Sequence, residues 1–369
     1  MTEPLLSVEN LRVAFDTEDG IVRAVDGISY SLAAGATLAI VGEAGSGKSV
    51  AAETALGLPR TPQAKIAGRI LFEGRDLLTL PDDELRRIRG NEIAMIFQDP
   101  LASMHPLYRV GSQIAQAVRA HRDVSKAAAR DRSIDLLDRV GIPDSHRCVD
   151  RYPHELSGAM RQRVMIAMAL ANEPKLLIAD EPTRALEVTE QAQILALLGD
   201  LRRRLGIAIV IVTHDLGVAA EIAEEIAVMY AGRIVEHGSA QRIFTTPQHP
   251  CTWGLLKPIP SLEHHPGEEL ELVPISGRPP SLINRPTGCH FHPRCPYAAD
   301  AHRWIDPKLD PVPDQPGHEV ACLLDPAVRT QIWRGIQDGQ APASLRQLAQ
   351  PGLNATHDRS IAVDEGGRE

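Results

Sequence analysis

Short apolar runs recur along the first two thirds of this 369-residue chain, and stretches with helical periodicity lie between them. Four runs have the length of buried strands: TLAIVG at 37–42, EIAMIFQD at 92–99, LLIAD at 176–180 and IAIVIVTHD at 207–215. The helical stretches are 49–58, 110–151 and 189–206. Strands that alternate with helices predict an α/β fold whose mostly parallel sheet is covered on both faces. Ligands of such sheets bind at the carboxyl ends of the strands.

Two other parts of the chain follow different patterns. Residues 5–31 alternate apolar and polar positions around Asp19-Gly20, which predicts an antiparallel pair of strands. After residue 245 prolines cluster and periodicity fades, so we expect a small appended domain with little regular structure at 246–325. The polar, Gly- and charge-rich segment 326–369 is predicted to be a flexible tail.

Composition narrows the class of protein. The chain is 43% apolar and 24% charged, as in an ordinary globular protein, and its net charge of -9 argues against nucleic acid as a partner. No uninterrupted apolar run approaches the length of a membrane span, and the N-terminal residues show no secretory signal. The five cysteines are therefore expected to be thiols or metal ligands in a cytosolic setting.

The clearest chemical motif is GEAGSGKS at 42–49, which fits G-x-x-x-x-G-K-[ST] between a predicted strand and a predicted helix. Its glycines let several backbone N–H groups point at phosphate oxygens. Lys48 would approach the β- and γ-phosphates, and the Ser49 hydroxyl would hold Mg²⁺. The alternative of a simple glycine-rich turn is far less compatible with the flanking elements.

Polar residues at the ends of the other predicted strands suit the same site. Asp180 follows LLIA, where its carboxylate would hold Mg²⁺, and Glu181 would polarise the attacking water. His214 would hydrogen-bond the γ-phosphate, and Gln98 would reach metal and water. Phe15 is as consistent with stacking on adenine as with a place in the core.

A second anion site is indicated at ELSGAMRQRV, residues 155–164. Ser157 has the character of a helix N-cap, and Gly158 allows close approach in the first turn. A helix that begins in this way is suited to bind a phosphate group.

With these motifs in this order, the chain resembles the ATP-binding subunits of ABC transporters. GEAGSGKS is similar to Walker A, Gln98 to the Q-loop, LSGAM to the signature, LLIADE to Walker B, RALE to the D-loop and His214 to the switch histidine. The segments IFQDPLASMHPLYRVG, QHPCTWGLLKPIP and GCHFHPRCPYA resemble the oligopeptide/dipeptide importer branch.

The resemblance implies a P-loop NTPase cassette over 1–245, with a helical subdomain at about 100–172 and an oligopeptide-importer-type domain at 246–325. Catalysis would rest on Glu181, His214 and Gln98, and Mg²⁺ on Ser49, Gln98 and Asp180. The ATP-binding residues implied are Phe15, Gly42, Glu43, Ala44, Gly45, Ser46, Gly47, Lys48, Ser49, Val50 and Asp180. Ser157, Gly158, Ala159 and Met160 would contact ATP held by a partner.

The same resemblance implies the assembly. A second ABC ATPase subunit would pair head to tail with this chain, and ATP binding would close the pair. Two transmembrane permease subunits would receive the motion, with an extracytoplasmic solute-binding protein acting indirectly. The chain would then lie peripherally at the cytoplasmic face of the membrane and power import of peptides.

Several positions depart from the family pattern. Ala159 replaces the second signature glycine, Met160 the following glutamine, Glu187 the D-loop aspartate and Arg184 a small residue. Ala44 and His105 stand where this branch usually has serine and asparagine. These changes suggest a heterodimer in which the site completed by this chain's signature turns over slowly. The alternative is that a small backbone adjustment accommodates the Ala159 methyl group.

Cys289, Cys295, His302 and Cys322 are spaced C-x5-C-x6-H-x19-C. Related importer subunits carry four cysteines here, and the resemblance implies a [4Fe–4S] cluster, with Zn²⁺ as the alternative. Unliganded thiols are the remaining interpretation. His290, His292 and His318 are interpreted as surface residues, and Cys148 and Cys251 have no ligand-like neighbours in sequence.

Two other functions remain open from the sequence. A soluble ABC ATPase of DNA repair or translation usually carries a long coiled coil or two cassettes, and neither is visible here. A non-hydrolysing nucleotide-dependent regulator is compatible with Ala159 and Glu187 but not with the intact Glu181 and His214.

Overall fold

The computed structural model describes residues 3–256, 275 and 277–349. The strands are β1 (Leu6–Thr17), β2 (Gly20–Leu32), β3 (Thr37–Val41), β4 (Ala64–Phe72), β5 (Arg75–Asp76), β6 (Ile93–Ile96), β7 (Leu176–Asp180), β8 (Ala208–Thr213), β9 (Glu225–Tyr230), β10 (Arg233–Ser239), β11 (Asp310–Pro311) and β12 (Glu319–Val320). The helices are α1 (Lys48–Ala55), α2 (Asp82–Ile88), α3 (Pro100–Ser103), α4 (Val110–Arg119), α5 (Lys126–Arg139), α6 (Ser145–Cys148), α7 (Gly158–Ala169), α8 (Val188–Leu205), α9 (Leu216–Ile222), α10 (Ala240–Thr245), α11 (Pro250–Leu256), α12 (Pro326–Gln337) and α13 (Pro342–Ala349).

An eight-stranded sheet with the order β11-β12-β10-β9-β3-β8-β7-β6 forms the centre of the fold. Strands β9, β3, β8, β7 and β6 are parallel, and β10 turns antiparallel onto β9. The four strands predicted from apolar runs are β3, β6, β7 and β8, and every residue in them is buried. The predicted α/β fold with a mostly parallel sheet is therefore confirmed.

Each face of this sheet has its own apolar core. Alternate residues of β3 divide between them, since Ala39 and Val41 pack on one side and Leu38 and Ile40 on the other. The first core receives the helical segment α4–α7, through side chains such as Ile114, Leu137 and Val164. A strand buried on both faces explains why the sequence shows continuous apolar runs rather than alternation.

A second, antiparallel sheet with the order β2-β1-β4-β5 covers the other core. The predicted pairing of β1 with β2 is present, and its register closes at Thr17 opposite Gly20. Strand β4 was not predicted, and most residues in its first half are exposed or half-buried. It is held in the sheet by pairing with β1 from Leu6 to Phe15. This sheet brings Phe15 to the edge that faces the end of β3.

Between α11 and α12 the described residues have little regular structure, as predicted. They form only β11 and β12, which extend the main sheet through β10, and a short 3-10 helix at Asp300–Arg303. His318 is fully buried, contrary to its interpretation as a surface residue. Its Nε2 lies 2.8 Å from Oε1 of the equally buried Glu236. The carboxylate of Glu236 also accepts hydrogen bonds from the backbone N–H groups of Gln248 and His249, at 2.6 and 2.9 Å.

The segment predicted to be a flexible tail contains α12 and α13. They pack into a third core, formed by Trp253, Tyr297, Leu324, Ile332, Leu345 and Ala349. The apolar residues that bury these helices are far away in sequence, so the local sequence pattern did not predict the helices. The remainder of the predicted tail, 350–369, lies outside the described residues. No helix within the described ranges is long and apolar enough to cross a membrane.

Candidate active site

A cavity of about 1170 Å³ opens at the carboxyl ends of the central strands. The parallel register places Val41 opposite Thr213 and Asp180 opposite Val212, so the segments that follow β3, β7 and β8 meet at one edge. The cavity is lined by the loop from Glu43 to Val50, and by Gln98, Glu181 and His214. The structure thus gathers residues that are up to about 170 positions apart along the chain.

The glycine loop is shaped by both backbone conformation and close packing. Gly45 and Gly47 have φ values of 77° and 99°. A Cβ atom on Gly47 would lie 2.1 Å from the Ala24 carbonyl oxygen, and one on Gly42 would lie 2.1 Å from that of Met229. Gly47 is the N-cap of α1 and provides no side-chain cap, so the first N–H groups of this helix are available to phosphate.

Lys48 is buried and folded back on this loop. Its Nζ donates to the carbonyl oxygens of Gly42 and Glu43, at 2.7 and 2.9 Å. Burial lowers the pKa of Lys48, while the carboxylates of Glu181, Asp180 and Glu43 act in the opposite direction. The ammonium group is therefore held beneath the loop, close to where the phosphates would lie.

Ser49 and Asp180 meet across the sheet edge. The Ser49 hydroxyl donates to Asp180 Oδ1 at 3.1 Å, and burial raises the pKa of Asp180. Hydroxyl and carboxylate oxygens are hard donors of the kind that Mg²⁺ prefers. The pair fits a magnesium ion that would also be bound by nucleotide phosphates and water.

Glu181 and His214 form a second pair at the cavity. Nδ1 of His214 lies 3.1 Å from Oε2 of Glu181. Glu181 has a φ of 43°, a conformation unusual for a non-glycine residue, and its backbone N–H donates to the Val212 carbonyl at 2.8 Å. Local strain of this kind is often found at functional sites.

Gln98 and Phe15 also line the cavity. Gln98 follows β6 and is partly exposed, in reach of the open space. Phe15 pairs across the sheet with Val22, packs against the second core and still faces the cavity. Phe15 thus packs against the core, and its place on the cavity wall leaves its predicted stacking on adenine as a prediction.

The signature segment lies elsewhere. Ser157 caps α7 and its Oγ accepts a hydrogen bond from the Met160 N–H at 3.3 Å, as its predicted N-cap character requires. Ser157 and Gly158 are exposed, whereas Ala159 and Met160 are half-buried, and all four are absent from the lining of the cavity. The start of this helix is thus open to a group that the chain's own cavity does not supply.

Several cavity residues were not anticipated as part of the site. Thr183, Arg184, Ala185, Leu186 and Gln191 come from the turn after β7 and the start of α8, and Leu255, Pro279 and Leu282 come from the appended region. Residues 184–187 are RALE, which the sequence showed to be similar to the D-loop, but they were not assigned to this cavity; Ala185 has a φ of 59°, which marks a tight turn. The appended region carries no nucleotide motif, so only the tertiary structure reveals its contribution.

The Cys/His cluster differs from the prediction. Among the described residues, no group of three or more His, Cys, Asp or Glu side chains is arranged to hold a metal ion. Burial raises the pKa of Cys289 to about 11 and that of Cys295 well above its usual range, and the nearby Cys322 thiol adds to both shifts. His302 Nδ1 accepts a hydrogen bond from the Ala299 N–H at 3.0 Å.

These cysteines pack instead as small apolar side chains, Cys289 in the first core and Cys295 and Cys322 against the third. The described residues are therefore not arranged to hold the iron–sulfur cluster or its zinc alternative.

The glycine loop between β3 and α1, with a carboxylate at the end of β7, defines a P-loop nucleotide-binding protein. The family model for ABC transporters matches residues 25–184, and the model for the oligopeptide/dipeptide transporter C-terminal region matches 235–301. Two relatives are the oligopeptide transport ATP-binding protein OppD of Bacillus subtilis and the dipeptide transport ATP-binding protein DppD of Escherichia coli. They are 50% and 48% identical, over 98% and 89% of this chain and 98% and 99% of their own lengths.

Among solved structures, the dimeric bacterial ABC transporter cassette MJ0796 superimposes with a TM-score of 0.58 at 27% identity, covering 64% of this chain and 98% of its own. The chain belongs to the ABC transporter family, in the group of ATP-binding subunits that carry the oligopeptide/dipeptide transporter C-terminal region. These similarities do not favour a soluble ABC ATPase or a non-hydrolysing regulator.

Proposed function

We propose that this protein binds and hydrolyses ATP to power an importer of oligopeptides or dipeptides. The observation that carries the proposal is the Glu181–His214 pair at 3.1 Å, at the edge of a cavity that also holds the phosphate loop and Asp180. The peptide class rests on the matched C-terminal region and on the names of the relatives.

The phosphate loop would hold the triphosphate. Backbone N–H groups of residues 43–50 surround the phosphates, and Lys48 leaves its carbonyl partners to contact the β- and γ-phosphates. Phe15 offers its ring to the base from the edge of the second sheet. Ser49, Asp180 and Gln98 would hold Mg²⁺, which when bound neutralises charge on the phosphate oxygens.

Hydrolysis would depend on Glu181. Its carboxylate accepts a hydrogen bond from the attacking water and takes its proton as the water oxygen bonds to the γ-phosphorus; the bond from that phosphorus to the β–γ bridging oxygen breaks, and ADP leaves with that oxygen. His214 holds the Glu181 carboxylate by donating from Nδ1–H, and in its protonated form the ring would also donate from Nε2–H to the γ-phosphate. Gln98 would orient the same water. Through Gln98, the loop that follows it would respond to bound nucleotide.

The exposed start of α7 would complete a partner's site. Ser157 and Gly158 would face the γ-phosphate of ATP held by the partner, and the partial positive charge of the helix N-terminus favours that anion. Ala159 and Met160 would lie in the same contact. ATP bound between two subunits closes them, and hydrolysis allows them to open, which is a shift between two states of the assembly.

The partner is proposed to be a different ABC ATPase subunit. Ala159 places a methyl group at the signature contact, and Glu187 and Arg184 change the turn that leads into α8. The composite site completed by this chain's signature would then turn over slowly, while the site built on Lys48 and Glu181 hydrolyses ATP.

The whole assembly would include two permease subunits and, indirectly, an extracytoplasmic solute-binding protein, with this chain peripheral at the cytoplasmic face of the membrane. Residues 1–245 would form the nucleotide-binding domain and 246–325 the appended domain. The absence of a basic composition agrees with partners other than nucleic acid.

The test is uptake of a labelled peptide library by the purified assembly in liposomes with internal ATP. Glu181→Gln keeps the size of the side chain but removes the base, so ATP hydrolysis should fall by roughly 10²–10⁴-fold while ATP still binds. Uptake should fall with it. Glu221→Gln, on an exposed carboxylate of α9, is the matched control. Wild-type assemblies that hydrolyse ATP without moving any peptide would refute the transport proposal.

The asymmetry is tested in the same assembly. Glu181→Gln should remove most of the ATPase activity, whereas the equivalent change in the partner subunit should remove little of it. Equal losses from the two single variants would show that both sites work alike and that Ala159 is tolerated.

A further inference from the structure

The appended region reaches back to the phosphate loop through one arginine. Arg294, in GCHFHPRCPYA, forms a two-pronged ion pair with Glu43, which is 251 residues earlier in the chain. Its Nη2 donates to Glu43 Oε1 at 2.9 Å, and its Nη1 donates to Oε2. A planar guanidinium that meets both carboxylate oxygens fixes the direction as well as the distance of its partner.

Arg294 is itself rigidly held. Nη2 also donates to the carbonyl oxygens of Ile275 and Gly277, both at 3.2 Å, and the guanidinium carbon lies 5.8 Å from the centre of the Tyr230 ring. The Arg294 side chain is only 6% exposed, and that of Glu43 21%. Removing Arg294 would take this counter-ion away from the mostly buried Glu43 carboxylate, which is costly.

Glu43 is the second residue of the phosphate loop, and its backbone organises the loop. Its carbonyl accepts from the Lys48 Nζ at 2.9 Å and from the Ser46 N–H at 3.2 Å. Its carboxylate lies near enough to Lys48 to stabilise the ammonium form. Without Arg294, this carboxylate would add negative charge beside the triphosphate and compete with it for Lys48.

An independent contact joins the same two regions. Pro279 and Leu282 line the nucleotide cavity. The Leu282 carbonyl accepts a hydrogen bond from the Arg23 N–H of β2 at 3.1 Å, and Arg285 Nη1 lies 2.7 Å from the Asp26 carboxylate. The appended region therefore supplies one wall of the cavity as well as a partner for its loop.

We propose that Arg294 is a positioning residue for ATP binding, which orients the phosphate loop and neutralises Glu43 from outside the nucleotide-binding domain. The inference rests on the proposed function, because it assigns the ligand of the cavity as ATP. Under this proposal the appended region contributes directly to nucleotide binding.

The test is equilibrium binding of ATP with Mg²⁺ to the purified full-length chain, without permeases. Arg294→Ala should raise the Kd for ATP about tenfold, in the range for loss of a charged hydrogen bond. In a Glu43→Gln background the same change should cost less than about twofold, because no carboxylate remains to be neutralised. Arg303→Ala, an exposed arginine of the same region, should leave the Kd unchanged.

An equal loss from Arg294→Ala in both backgrounds would show that Arg294 acts on the fold and not through Glu43, and would overturn the proposal. An unchanged Kd would also overturn it. If Arg294→Ala does not fold, Arg294→Lys carries the test, since it keeps the charge but loses the two-pronged geometry and should weaken ATP binding by an intermediate factor. Failure of the wild-type chain to bind ATP would instead refute the proposed function.

Discussion

Two glycines of the phosphate loop meet different physical requirements. Gly45 has a positive φ, but a Cβ atom there would find no heavy atom within 4 Å. Gly47 combines a positive φ with a backbone carbonyl only 2.1 Å from the position of its missing Cβ. Gly45 is needed only for its left-handed backbone conformation. Gly47 is needed for that conformation and also for the close approach of strand β2.

We therefore predict unequal costs for two matched substitutions. Gly45→Ala should lower the free energy of unfolding by about 1 kcal/mol, the cost of a left-handed conformation. Gly47→Ala should lower it by about 3 kcal/mol, because overpacking adds to the same cost. Denaturant unfolding of the nucleotide-free chain measures both. Equal effects would mean that the loop moves freely away from Ala24 and that the close approach is unimportant.

Sequence motifs were most informative at this scale. Lys48, Ser49, Asp180, Glu181, Gln98 and His214 were all expected at one site, and the structure brings them to one sheet edge. Their separation in the chain does not matter, because parallel strands end on the same side. The contact of Arg294 with Glu43 was not predicted, because GCHFHPRCPYA indicated a branch of the family and gave no sign of which distant residue its arginine meets.

Among the elements, α12 shows what tertiary contacts can add. Its apolar positions Val328, Ile332, Trp333 and Ile336 have helical spacing, but the segment is surrounded by polar sequence. Helix α12 packs on a surface formed by Trp253 of α11 and by Tyr297. The rings of Trp253 and Trp333 lie 6.5 Å apart. Helix stability of this kind comes mainly from packing and not from propensity.

Ile332 is completely buried in this third core. Ile332→Ala should lower the free energy of unfolding of the C-terminal part by about 3 kcal/mol, from lost burial and an unfilled cavity. Tryptophan fluorescence during denaturant unfolding reports on it, because Trp253 and Trp333 are in the same cluster. Gln331→Ala, exposed on the same helix, should change stability by less than about 0.5 kcal/mol. A mild effect at Ile332 would indicate that α12 is loosely docked.

For the molecule as a whole, buried polar groups join the two parts of the chain. Glu236 of β10 binds His318 and the backbone before α11, and Arg294 binds Glu43. His249 lies at this junction, fully buried, and its Nδ1 accepts a hydrogen bond from the Cys251 N–H at 3.0 Å. Burial lowers the pKa of His249 to about 3, and the charges of Arg329 and His302 act in the same direction.

This gives the junction a defined response to acid. The unfolded chain binds a proton at His249 near pH 6.5, while the folded chain does not until about pH 3. The contribution of His249 to the free energy of unfolding is thus fully present above pH 6.5 and is lost as the pH falls toward 3. The free energy of unfolding should drop between pH 7 and 5, and less so in His249→Asn, which keeps an acceptor for Cys251.

The exposed His146 provides the control, because His146→Asn should leave the pH dependence as in the wild type. Identical pH profiles for wild type and His249→Asn would show that other groups, such as the half-buried His290 with its pKa lowered to about 4, dominate acid unfolding.

Local sequence was enough to predict four of the five parallel strands, the first hairpin and the residues that gather around the phosphate loop. Periodicity and motifs extend over only a few residues, and parallel strands then bring their carboxyl ends to one edge of the sheet. Local sequence was not enough for the cysteines, the buried His318, helices α12 and α13, or the link from Arg294 to Glu43. Each of these depends on which residues, distant in sequence, pack against a short segment in the folded chain. Those contacts decide which side chains are buried and which charges pair, so only the tertiary structure could determine them.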